Sequence, residues 1–439
     1  MKPVNVGIIG LGTVGGGTVR LIQNHHDDYL SSYGIDLVIK KACARSEKHA
    51  VELGLDGDTF TTDWHDVVLD PSIDIVVELI GGDHPATEIA ELAFAHKKHV
   101  VTANKALLAH DMGRLAGLAR KNGMQLKCEA AAAGGIPIVK ALENSFAGNS
   151  IQTIAGIVNG TTNYMLTRME LENLTFDEVL TDAQRLGYAE ADPTADVDGW
   201  DAANKMAILA SIGFNTRVTL QDVSCVEGIR SLEPIDIKYA HDLGYRVKLL
   251  GVARKLADGL DVRVHPAMVE IHHQLASVDG VFNAVYVVGD AVGETMFTGA
   301  GAGAFPTASA VVGDILDLAA PIAAELELLP EPEPFERVMD ICSIDNLIDR
   351  YYIRISLEDK PGMLSKVTSI FAEHEVSLAT VSQPASERGA QAQVIVVTHS
   401  AQEAHVRKAC EAITNLDGVH KEPVVIRVEN TKVWKSASL

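Results

Sequence analysis

The chain has 439 residues, of which 47% are hydrophobic and 22% are charged, and its formal net charge is -22 at pH 7. This length allows two or three domains, each with its own hydrophobic core. The strong negative charge argues against nucleic acid and anionic membranes as partners, although an acidic substrate needs only a local positive site. The 5 scattered cysteines lack Cys-x-x-Cys spacing, and no apolar run predicts a membrane span or a signal peptide. We therefore expect a cytoplasmic protein with reduced thiols.

A glycine-rich turn follows the first predicted strand. Residues 6–9 form an apolar run typical of a buried parallel strand, and Gly10, Gly12 and Gly15 follow it with Gly-x-Gly-x-x-Gly spacing. The first glycine allows a tight turn, the second lets the backbone approach a pyrophosphate, and the third lets strand and helix pack closely. Because the spacing stands between a strand and a helix, it favours a dinucleotide-binding turn over a βα turn without a ligand.

Strands and helices alternate through the first 136 residues. We predict strands over residues 6–9, 37–43, 73–79, 99–102 and 124–129, and helices over 18–23, 86–96 and 106–122. This alternation predicts an α/β fold with a Rossmann-like, doubly wound parallel sheet, forming a dinucleotide-binding domain over 1–136. Ligands bind at the carboxyl ends of such strands, where residues 80–83 and 102–105 lie.

The second region, residues 137–305, interleaves its elements less regularly. We predict helices over 177–186 and 201–212 and strands over 151–158, 246–255, 262–269 and 284–288. This pattern indicates an α+β domain for catalysis and oligomerisation. The glycine-rich residues 299–303 predict a fixed backbone segment close to a ligand, followed by a helix over 306–320 that completes the first domain.

A stiff, acidic, proline-rich linker is predicted over residues 321–349. Residues 350–428 then follow a ferredoxin-like β-α-β-β-α-β pattern, with strands over 351–357, 377–383, 392–398 and 423–428 and helices over 362–373 and 401–414. Residues 429–439 resemble a frayed tail.

Two charged residues interrupt the apolar helix around 201–212. Asp201 and Lys205 are four positions apart, so they share one helix face. They could form a surface ion pair, but their Ala, Met, Ile and Leu neighbours favour a buried position. A desolvated lysine loses proton affinity, which suits a general base. Lys105, at a predicted strand end, is a second candidate; the alternative is an ordinary lysine at a helix N-terminus, which the helix dipole disfavours.

The chain resembles the homoserine dehydrogenase family over residues 1–320 and an ACT domain over 350–428. The motifs that carry the first resemblance are at 77–82, 102–106, 129–137, 156–164 and 192–199, and the second rests on residues 358–364. The alanines at 130–133 depart from the bulkier or hydroxylic residues usual in the family. The absence of a preceding kinase-like segment predicts the monofunctional form.

The resemblance implies roles for individual residues. Lys205 is expected to transfer the proton, with Asp201 beside it and Lys105 as a second catalytic or orienting group. The expected substrate ligands are Glu190, Asp196, Gly160, Thr161 and Tyr188. The expected cofactor ligands are Gly10, Gly12, Thr13, Val14, Gly15, Arg45, Ser46, Gly81, Thr102, Lys105 and Gly303. The family also binds a sodium or potassium ion, which places Glu129, Ala132, Gly134 and Ile136 around a monovalent cation.

The end of the second strand bears on the choice of cofactor. An acidic residue there usually holds the ribose 2′-hydroxyl of NAD, whereas an arginine admits the 2′-phosphate of NADP. Here Ala44, Arg45 and Ser46 follow the strand and no acid is present. We therefore expect NADP, with NAD as the alternative.

The expected substrates are L-homoserine and L-aspartate 4-semialdehyde. Two other functions stay open at this point: an aspartate-semialdehyde dehydrogenase, which needs a nucleophilic cysteine with a partner histidine, and a non-catalytic regulator that binds nucleotide and amino acid. The ACT-like domain leads us to expect L-threonine as an effector. We also expect a homo-oligomer, either a dimer or a tetramer.

Overall fold

The computed structural model describes residues 2–55, 57–326, 328, 335, 338–384 and 391–434. Within these residues the strands form a 6-stranded sheet and an 11-stranded sheet. The first sheet belongs to the N-terminal part of the chain, and the second runs through the middle region into the C-terminal part.

The N-terminal sheet is parallel, as predicted. Its strands are β1 (Val4–Ile9), β2 (Leu37–Cys43), β3 (Phe60–Thr61), β4 (Ile75–Glu78), β5 (His99–Thr102) and β6 (Leu126–Lys127). Their order is β3-β2-β1-β4-β5-β6, and every neighbouring pair is parallel. The order reverses direction at β1, so a crevice opens beyond the carboxyl ends of β1 and β4, where Rossmann-like sheets bind dinucleotides. The doubly wound fold is confirmed; the two-residue strand β3 is additional to the prediction.

Helices cover both faces of this sheet. They are α1 (Thr13–Asn24), α2 (His26–Asp28), α3 (Glu47–Glu52), α4 (His65–Val68), α5 (Ala86–Ala95) and α6 (Lys105–Lys121). Since both faces are covered, the strands read as nearly continuous apolar runs: all four residues of β4 and of β5 are buried.

The middle region supplies six strands of the larger sheet and seven further helices. The strands are β7 (Ile151–Ile157), β8 (Cys225–Val226), β9 (Tyr245–Leu256), β10 (Gly259–Glu270), β11 (Phe282–Gly289) and β12 (Gly293–Ala300). The helices are α7 (Ile138–Lys140), α8 (Gly160–Glu172), α9 (Phe176–Arg185), α10 (Thr194–Val197), α11 (Trp200–Phe214), α12 (Pro234–Asp242) and α13 (Ala304–Ala323). The helices α7, α8, α10 and α12 and the strands β8 and β12 are absent from the sequence prediction.

Helix α13 returns to the N-terminal domain and packs against α1. Gly17 of α1 faces the backbone of Ala304 so closely that a Cβ there would lie 2.7 Å from its carbonyl oxygen. By length and composition α13 is apolar enough to cross a membrane. Its residues Val311, Ile315 and Leu318 are, however, buried in the core that α13 shares with β1 and β4. We therefore interpret α13 as a core helix.

The C-terminal part forms the expected ferredoxin-like unit. Its elements are β13 (Ile348–Glu358), α14 (Met363–Glu373), β14 (Leu378–Ser382), β15 (Gln391–Thr398), β16 (Ala401–Gln402), α15 (Glu403–Thr414) and β17 (Val424–Val428). The strands follow the order β17-β13-β15-β14. The short β16 pairs with the start of β13, so α15 begins two residues later than predicted.

The two larger regions share one continuous sheet. Strand β17 pairs in parallel with β10 through Ala267–Arg427 and Met268–Val428, while its other edge pairs with β13. The linker is therefore not the sole connection between the two regions. Part of the predicted linker, at 327, 329–334 and 336–337, lies outside the described residues.

The prediction of a frayed tail from residue 429 is wrong for its first six residues. Glu429 is 3% exposed and pairs with Arg263 of β10 at 2.9 Å. Thr431–Trp434 form a 3-10 turn, and Trp434 is buried in the core of the middle region. Residues 435–439 lie outside the described residues.

Candidate functional site

The β1–α1 turn has the geometry of a dinucleotide-binding turn. Gly10 has a φ of 105°, and a Cβ on Gly15 would lie 1.9 Å from the carbonyl oxygen of Gly10. Gly12 caps α1, with Thr13 and Val14 as its first helical residues, and no side chain occupies the cap. A Cβ on Gly12 would meet no atom. The exposed N-terminal N–H groups of α1 are thus open to an anionic pyrophosphate.

A groove of about 430 Å³ runs beside this turn, lined by Gly12, Thr13, Arg20, His49 and Phe305 among others. A larger cavity, of about 670 Å³, lies at the opposite end of the sheet near Asp74 and His99, where β4 and β5 begin. Because parallel sheets bind ligands at the carboxyl ends of their strands, we place the dinucleotide beside the glycine turn and not in the larger cavity.

Arg45 and Ser46 lie beyond the end of β2. Arg45 is exposed and forms no hydrogen bond or ion pair with any residue that the structure describes. Ser46 caps α3, with its Oγ accepting a hydrogen bond from the N–H of Lys48 at 3.3 Å. The guanidinium is therefore available to an added phosphate group, whereas the serine hydroxyl already has one protein partner.

The turns after β4 and β5 meet at the same edge. Asn104 Nδ2 donates to the carbonyl oxygen of Gly82 at 2.6 Å, which ties the two turns together, and Gly81 takes a positive φ of 74°. Thr102 is 1% exposed, and its hydroxyl donates to Glu78 Oε2 at 2.6 Å. The predicted cofactor residues Gly81 and Thr102 therefore lie together, but the side chain of Thr102 is used to hold the turn.

Asp201 is the centre of a cluster of charges. Lys205 Nζ donates to Asp201 Oδ2 at 2.7 Å and to the carbonyl oxygen of Val158, also at 2.7 Å. Lys105 Nζ donates to the other carboxylate oxygen, Oδ1. The side chain of Lys205 is 10% exposed, whereas that of Lys105 is 45% exposed. Residues from α6 and α11 thus converge on one buried carboxylate. The sequence analysis pairs Asp201 with Lys205 on one helix face, and the contact of Lys105 with the same carboxylate is additional to it.

The two lysines differ in proton affinity. Burial lowers the pKa of Lys205, the charge of Lys105 lowers it further, and the attraction of Asp201 offsets only part of this. Burial also depresses the pKa of Lys105, but Asp201, Asp196 and Glu190 more than compensate and leave it raised. Although burial disfavours its charge, Asp201 is held well below its usual pKa by Lys205 and Lys105. Lys205 is therefore the lysine whose neutral form is the more accessible.

Asp196 joins the cluster through a residue that sequence reasoning missed. Asn159 Nδ2 donates to Asp196 Oδ1 at 2.7 Å and to Asp201 Oδ2 at 2.9 Å. Burial and the nearby Asp201 raise the pKa of Asp196. The sequence pattern that could have indicated Asn159 is a capping residue placed directly after a predicted strand. In the structure Asn159 follows β7 and caps α8.

The other predicted substrate residues border the same cluster. Thr161 Oγ1 donates to the carbonyl oxygen of Tyr188 at 2.7 Å, which fixes the start of α8 against the loop after α9. A Cβ on Gly160 would lie 2.6 Å from the carbonyl oxygen of Val281, so this position requires glycine. Tyr188 and Glu190 are exposed.

The segment predicted to hold a monovalent cation is tightly folded. Glu129 is 2% exposed, and its two carboxylate oxygens accept hydrogen bonds from the N–H groups of Val139 and Lys140. The carbonyl oxygen of Ile136 accepts one from Ile138. Ala132 is buried beside these residues, and a Cβ on Gly134 would lie 2.3 Å from the carbonyl oxygen of Gly301. Two of the four predicted ligands thus already have protein partners.

The glycine-rich segment 299–303 is fixed mainly by protein neighbours. Gly299 and Ala300 end β12, and a Cβ on Gly301 would lie 2.0 Å from the side chain of Asn283. Gly303 has a φ of 126° and caps α13, which begins two residues before the predicted start.

The cysteine chemistry of an aspartate-semialdehyde dehydrogenase is not favoured. Burial raises the pKa of the Cys128 thiol well above its usual value and that of Cys225 to about 12. A nucleophilic cysteine needs the opposite, a lowered pKa in a polar, accessible place. Among the described residues, no group of three or more His, Cys, Asp or Glu side chains could hold a metal ion.

Three family models match the chain in succession. The homoserine dehydrogenase NAD-binding domain matches residues 10–129, the homoserine dehydrogenase domain matches 137–316, and the ACT domain matches 351–418. The first domain therefore binds a nicotinamide dinucleotide.

Relatives match over almost the whole chain. A homoserine dehydrogenase of Synechocystis is 46% identical over 97% of this chain and 99% of its own length. That of Neisseria gonorrhoeae is 42% identical over 98% and 99%. A homoserine dehydrogenase crystal structure from Thiobacillus denitrificans superposes with a TM-score of 0.90 at 42% identity, covering 98% of this chain and 99% of that chain. With two lysines converging on a buried aspartate beside a dinucleotide turn, and with relatives this similar along their full length, the chain belongs to the homoserine dehydrogenase family.

Proposed function

We propose that this oxidoreductase interconverts L-homoserine and L-aspartate 4-semialdehyde with Lys205 as the proton-transfer group. One observation carries the assignment of the base: Lys205 is buried between the carbonyl oxygen of Val158 and Asp201, and its pKa is lowered, whereas the pKa of Lys105 is raised. A base must lose its own proton before it can accept one, so the lysine with the lower pKa is the better candidate.

In the oxidation of homoserine, a nicotinamide held beside the glycine turn would supply the acceptor for the hydride that leaves the hydroxyl-bearing carbon. The hydroxyl proton passes to the neutral Nζ of Lys205, which becomes an ammonium held by Asp201 and Val158. In the reverse direction the same ammonium returns the proton to the aldehyde oxygen. Lys105 keeps its charge, binds the other oxygen of Asp201 and orients the substrate from the more exposed side. Asp196 and Glu190 bind the substrate ammonium, and Gly160, Thr161 and Tyr188 form the wall behind it.

NADP is the proposed cofactor. Arg45 lies exposed beyond β2 without a partner among the described residues, and no acid takes the position that would hold the ribose of NAD. A hyperthermophilic archaeal homoserine dehydrogenase mutant, 26% identical with a TM-score of 0.62 over 72% of this chain and 98% of its own, was solved in complex with NADPH.

The oxygens predicted to bind the monovalent cation are partly used by the protein itself. Because Glu129 and Ile136 already accept backbone hydrogen bonds, sodium or potassium would have to share these oxygens or rely on the carbonyl groups of Ala132 and Gly134. We assign the cation no step in the reaction. Equal activity in sodium, potassium and tetramethylammonium buffers would remove it from the proposal.

We infer that the ACT domain binds an amino-acid effector and that L-threonine is this effector. The turn over 359–362 opens α14, whose first N–H groups carry no side-chain cap and can hold a carboxylate. A domain retained only for assembly is the alternative. We also propose a homo-oligomeric, cytoplasmic enzyme.

The proposed reaction is tested by homoserine-dependent reduction of NADP, followed by the absorbance of the reduced nicotinamide, with NAD in a parallel series. We expect reduction with L-homoserine and a higher kcat/KM with NADP than with NAD. Absence of reduction with homoserine would reject the proposed reaction, and a preference for NAD would reject only the cofactor.

A further inference from the structure

Asn159 bridges the two buried carboxylates of the candidate site. The residue is 4% exposed, and its Nδ2 group lies 2.7 Å from Asp196 Oδ1 and 2.9 Å from Asp201 Oδ2. Two carboxylates that approach one another repel, and a donor placed between them reduces this repulsion. An amide nitrogen with two hydrogens can serve one carboxylate with each.

The cap of α8 fixes which way the amide of Asn159 points. Its Oδ1 accepts hydrogen bonds from the N–H of Thr162 and from the Thr162 hydroxyl, both at 2.8 Å. If the side-chain amide of Asn159 were flipped, its oxygen would face two carboxylates and its NH₂ group would face the N–H donor of Thr162. Both contacts would be repulsive. Both donors and both acceptor positions of the side chain are therefore used, and the helix cap holds the Nδ2 group toward the cluster.

The residue before Asn159 holds the proposed base. The carbonyl oxygen of Val158 accepts from Lys205 Nζ at 2.7 Å. Two consecutive residues at the junction of β7 and α8 thus contact three of the four charged groups: Lys205, Asp201 and Asp196. Since this junction is buried at the end of a core strand, it is a rigid support for them.

We propose that Asn159 is a positioning residue of the dehydrogenase reaction. It holds Asp201 in the orientation that serves both lysines, and it holds Asp196 beside Asp201 for the ammonium of the substrate. This inference rests on the proposed function. It assigns to Asn159 no contact with the reacting atoms; it acts through the two carboxylates.

A purely structural cap is the competing explanation, and two substitutions separate the roles. Serine and aspartate cap helices about as well as asparagine. Asn159→Ser keeps an oxygen for the Thr162 N–H but removes both amide donors. Asn159→Asp keeps the cap and replaces the donors with a negative charge. Thr175→Ala is the control, because it removes the cap of α9 away from the cluster.

The measurement is kcat and KM for L-homoserine against pH at saturating NADP, with thermal unfolding and NADPH affinity as checks of the fold. For Asn159→Ser we expect a loss of about 10²-fold in kcat/KM, the size that a small misplacement of reacting groups can cause, with wild-type NADPH affinity. For Asn159→Asp we expect the rising limb of the pH profile to move to higher pH, because added negative charge favours the protonated form of Lys205. Thr175→Ala should lose stability and keep its kinetics.

The inference is overturned if Asn159→Ser keeps the wild-type kcat/KM and the rising limb of the pH profile does not move in Asn159→Asp. Asn159 would then serve only as the cap of α8. If Asn159→Ser does not fold, the pH profile of Asn159→Asp decides alone. A rising limb that moves to higher pH supports the inference, and a limb that stays in place contradicts it. If the wild-type enzyme itself does not oxidise homoserine, the proposed function fails, and the inference falls with it.

Discussion

Lys105 and Lys205 bind opposite oxygens of the same aspartate, yet the pKa of Lys205 is lowered and that of Lys105 is raised. Lys205 lies on a buried face of α11, where water cannot solvate an ammonium, and Lys105 adds a second positive charge nearby. Lys105 begins α6 at the edge of the cluster, where three carboxylates favour its charged form. The difference follows from burial and neighbours and not from residue type.

Replacing Lys205 by alanine should therefore remove most activity while the protein still folds and binds NADPH. Loss of a general base typically costs about 10² to 10⁴ in rate. The measurements are kcat for homoserine oxidation and the NADPH dissociation constant. The matched control is Lys98→Ala, because Lys98 is also buried with a lowered pKa but donates to the main-chain carbonyl oxygens of Asp70 and Ile73 at the far end of the sheet. Near-normal turnover of Lys205→Ala at every pH would place the base elsewhere.

At the scale of elements, the turns that end β1, β2, β4 and β5 bring the predicted cofactor residues to one edge of the parallel sheet. This follows from the topology, since the carboxyl ends of parallel strands meet on one side. We propose that the end of β2 decides between the two cofactors, because in Rossmann-like domains this position faces the ribose at which NAD and NADP differ.

Arg45→Ala should weaken NADP binding far more than NAD binding. A hydrogen-bonded ion pair to a phosphate contributes about 1.5 to 3 kcal/mol, so we expect KM for NADP to rise about tenfold to a hundredfold. Arg217→Ala is the control, because Arg217 is another exposed arginine but follows α11 in the middle region. If both cofactors lose affinity equally, Arg45 does not contact the 2′-phosphate.

The sequence predicted the strongly patterned elements and missed the weakly patterned ones. Strands such as β2 and β15 were placed within a residue because each contains β-branched apolar residues. Helix α8 begins with Gly-Thr-Thr-Asn, residues of low helix propensity, and its start is stabilised by the Asn159 cap. Strand β12 contains glycine, threonine and glutamate and lies at the edge of the larger sheet. Lys205 and Asp201 could be found from their spacing, whereas Asn159 needed the three-dimensional approach of β7 to α10 and α11.

On the scale of the whole molecule, an ion pair of a buried arginine joins the ACT domain to the catalytic region. Arg427 of β17 is 2% exposed and pairs with Glu403 at the start of α15 and with Glu227 beyond β8, each at 2.6 Å. Pairing of β10 with β17 could not be predicted, because more than 150 residues separate the two strands. Removal of the C-terminal domain would strip β17 from β10, so point substitutions are the cleaner probe of regulation.

Glu227 lies beside the segment that precedes α11. A Cβ on the next residue, Gly228, would lie 2.0 Å from the carbonyl oxygen of Val197, and Gly199 packs against Glu227 just before α11 begins. We propose that a shift of Arg427 on effector binding would displace the end of α10, which carries Asp196, and the turn that precedes Asp201.

Threonine inhibition should consequently depend on this pair. We expect L-threonine to inhibit the full-length enzyme and Glu227→Gln to raise the half-inhibitory concentration about fivefold or more, within the range of ordinary coupling energies. Glu172→Gln, which removes an exposed pair with Arg168, is the control. If L-threonine does not inhibit the wild-type enzyme, the ACT domain serves in assembly and not in threonine sensing. If Glu227→Gln is inhibited as strongly as the wild type, the Arg427–Glu227 pair does not transmit the inhibition.

The pH dependence of the two reaction directions tests the assignment of Lys205 most directly. Oxidation requires the neutral lysine, so kcat/KM for homoserine should rise with pH, with a midpoint below the value of about 10.4 for a free lysine. Reduction of the semialdehyde requires the ammonium, so its kcat/KM should fall through the same midpoint. Lys205→Ala should lose both limbs. A midpoint at or above that of free lysine, or limbs that persist in Lys205→Ala, would contradict the account.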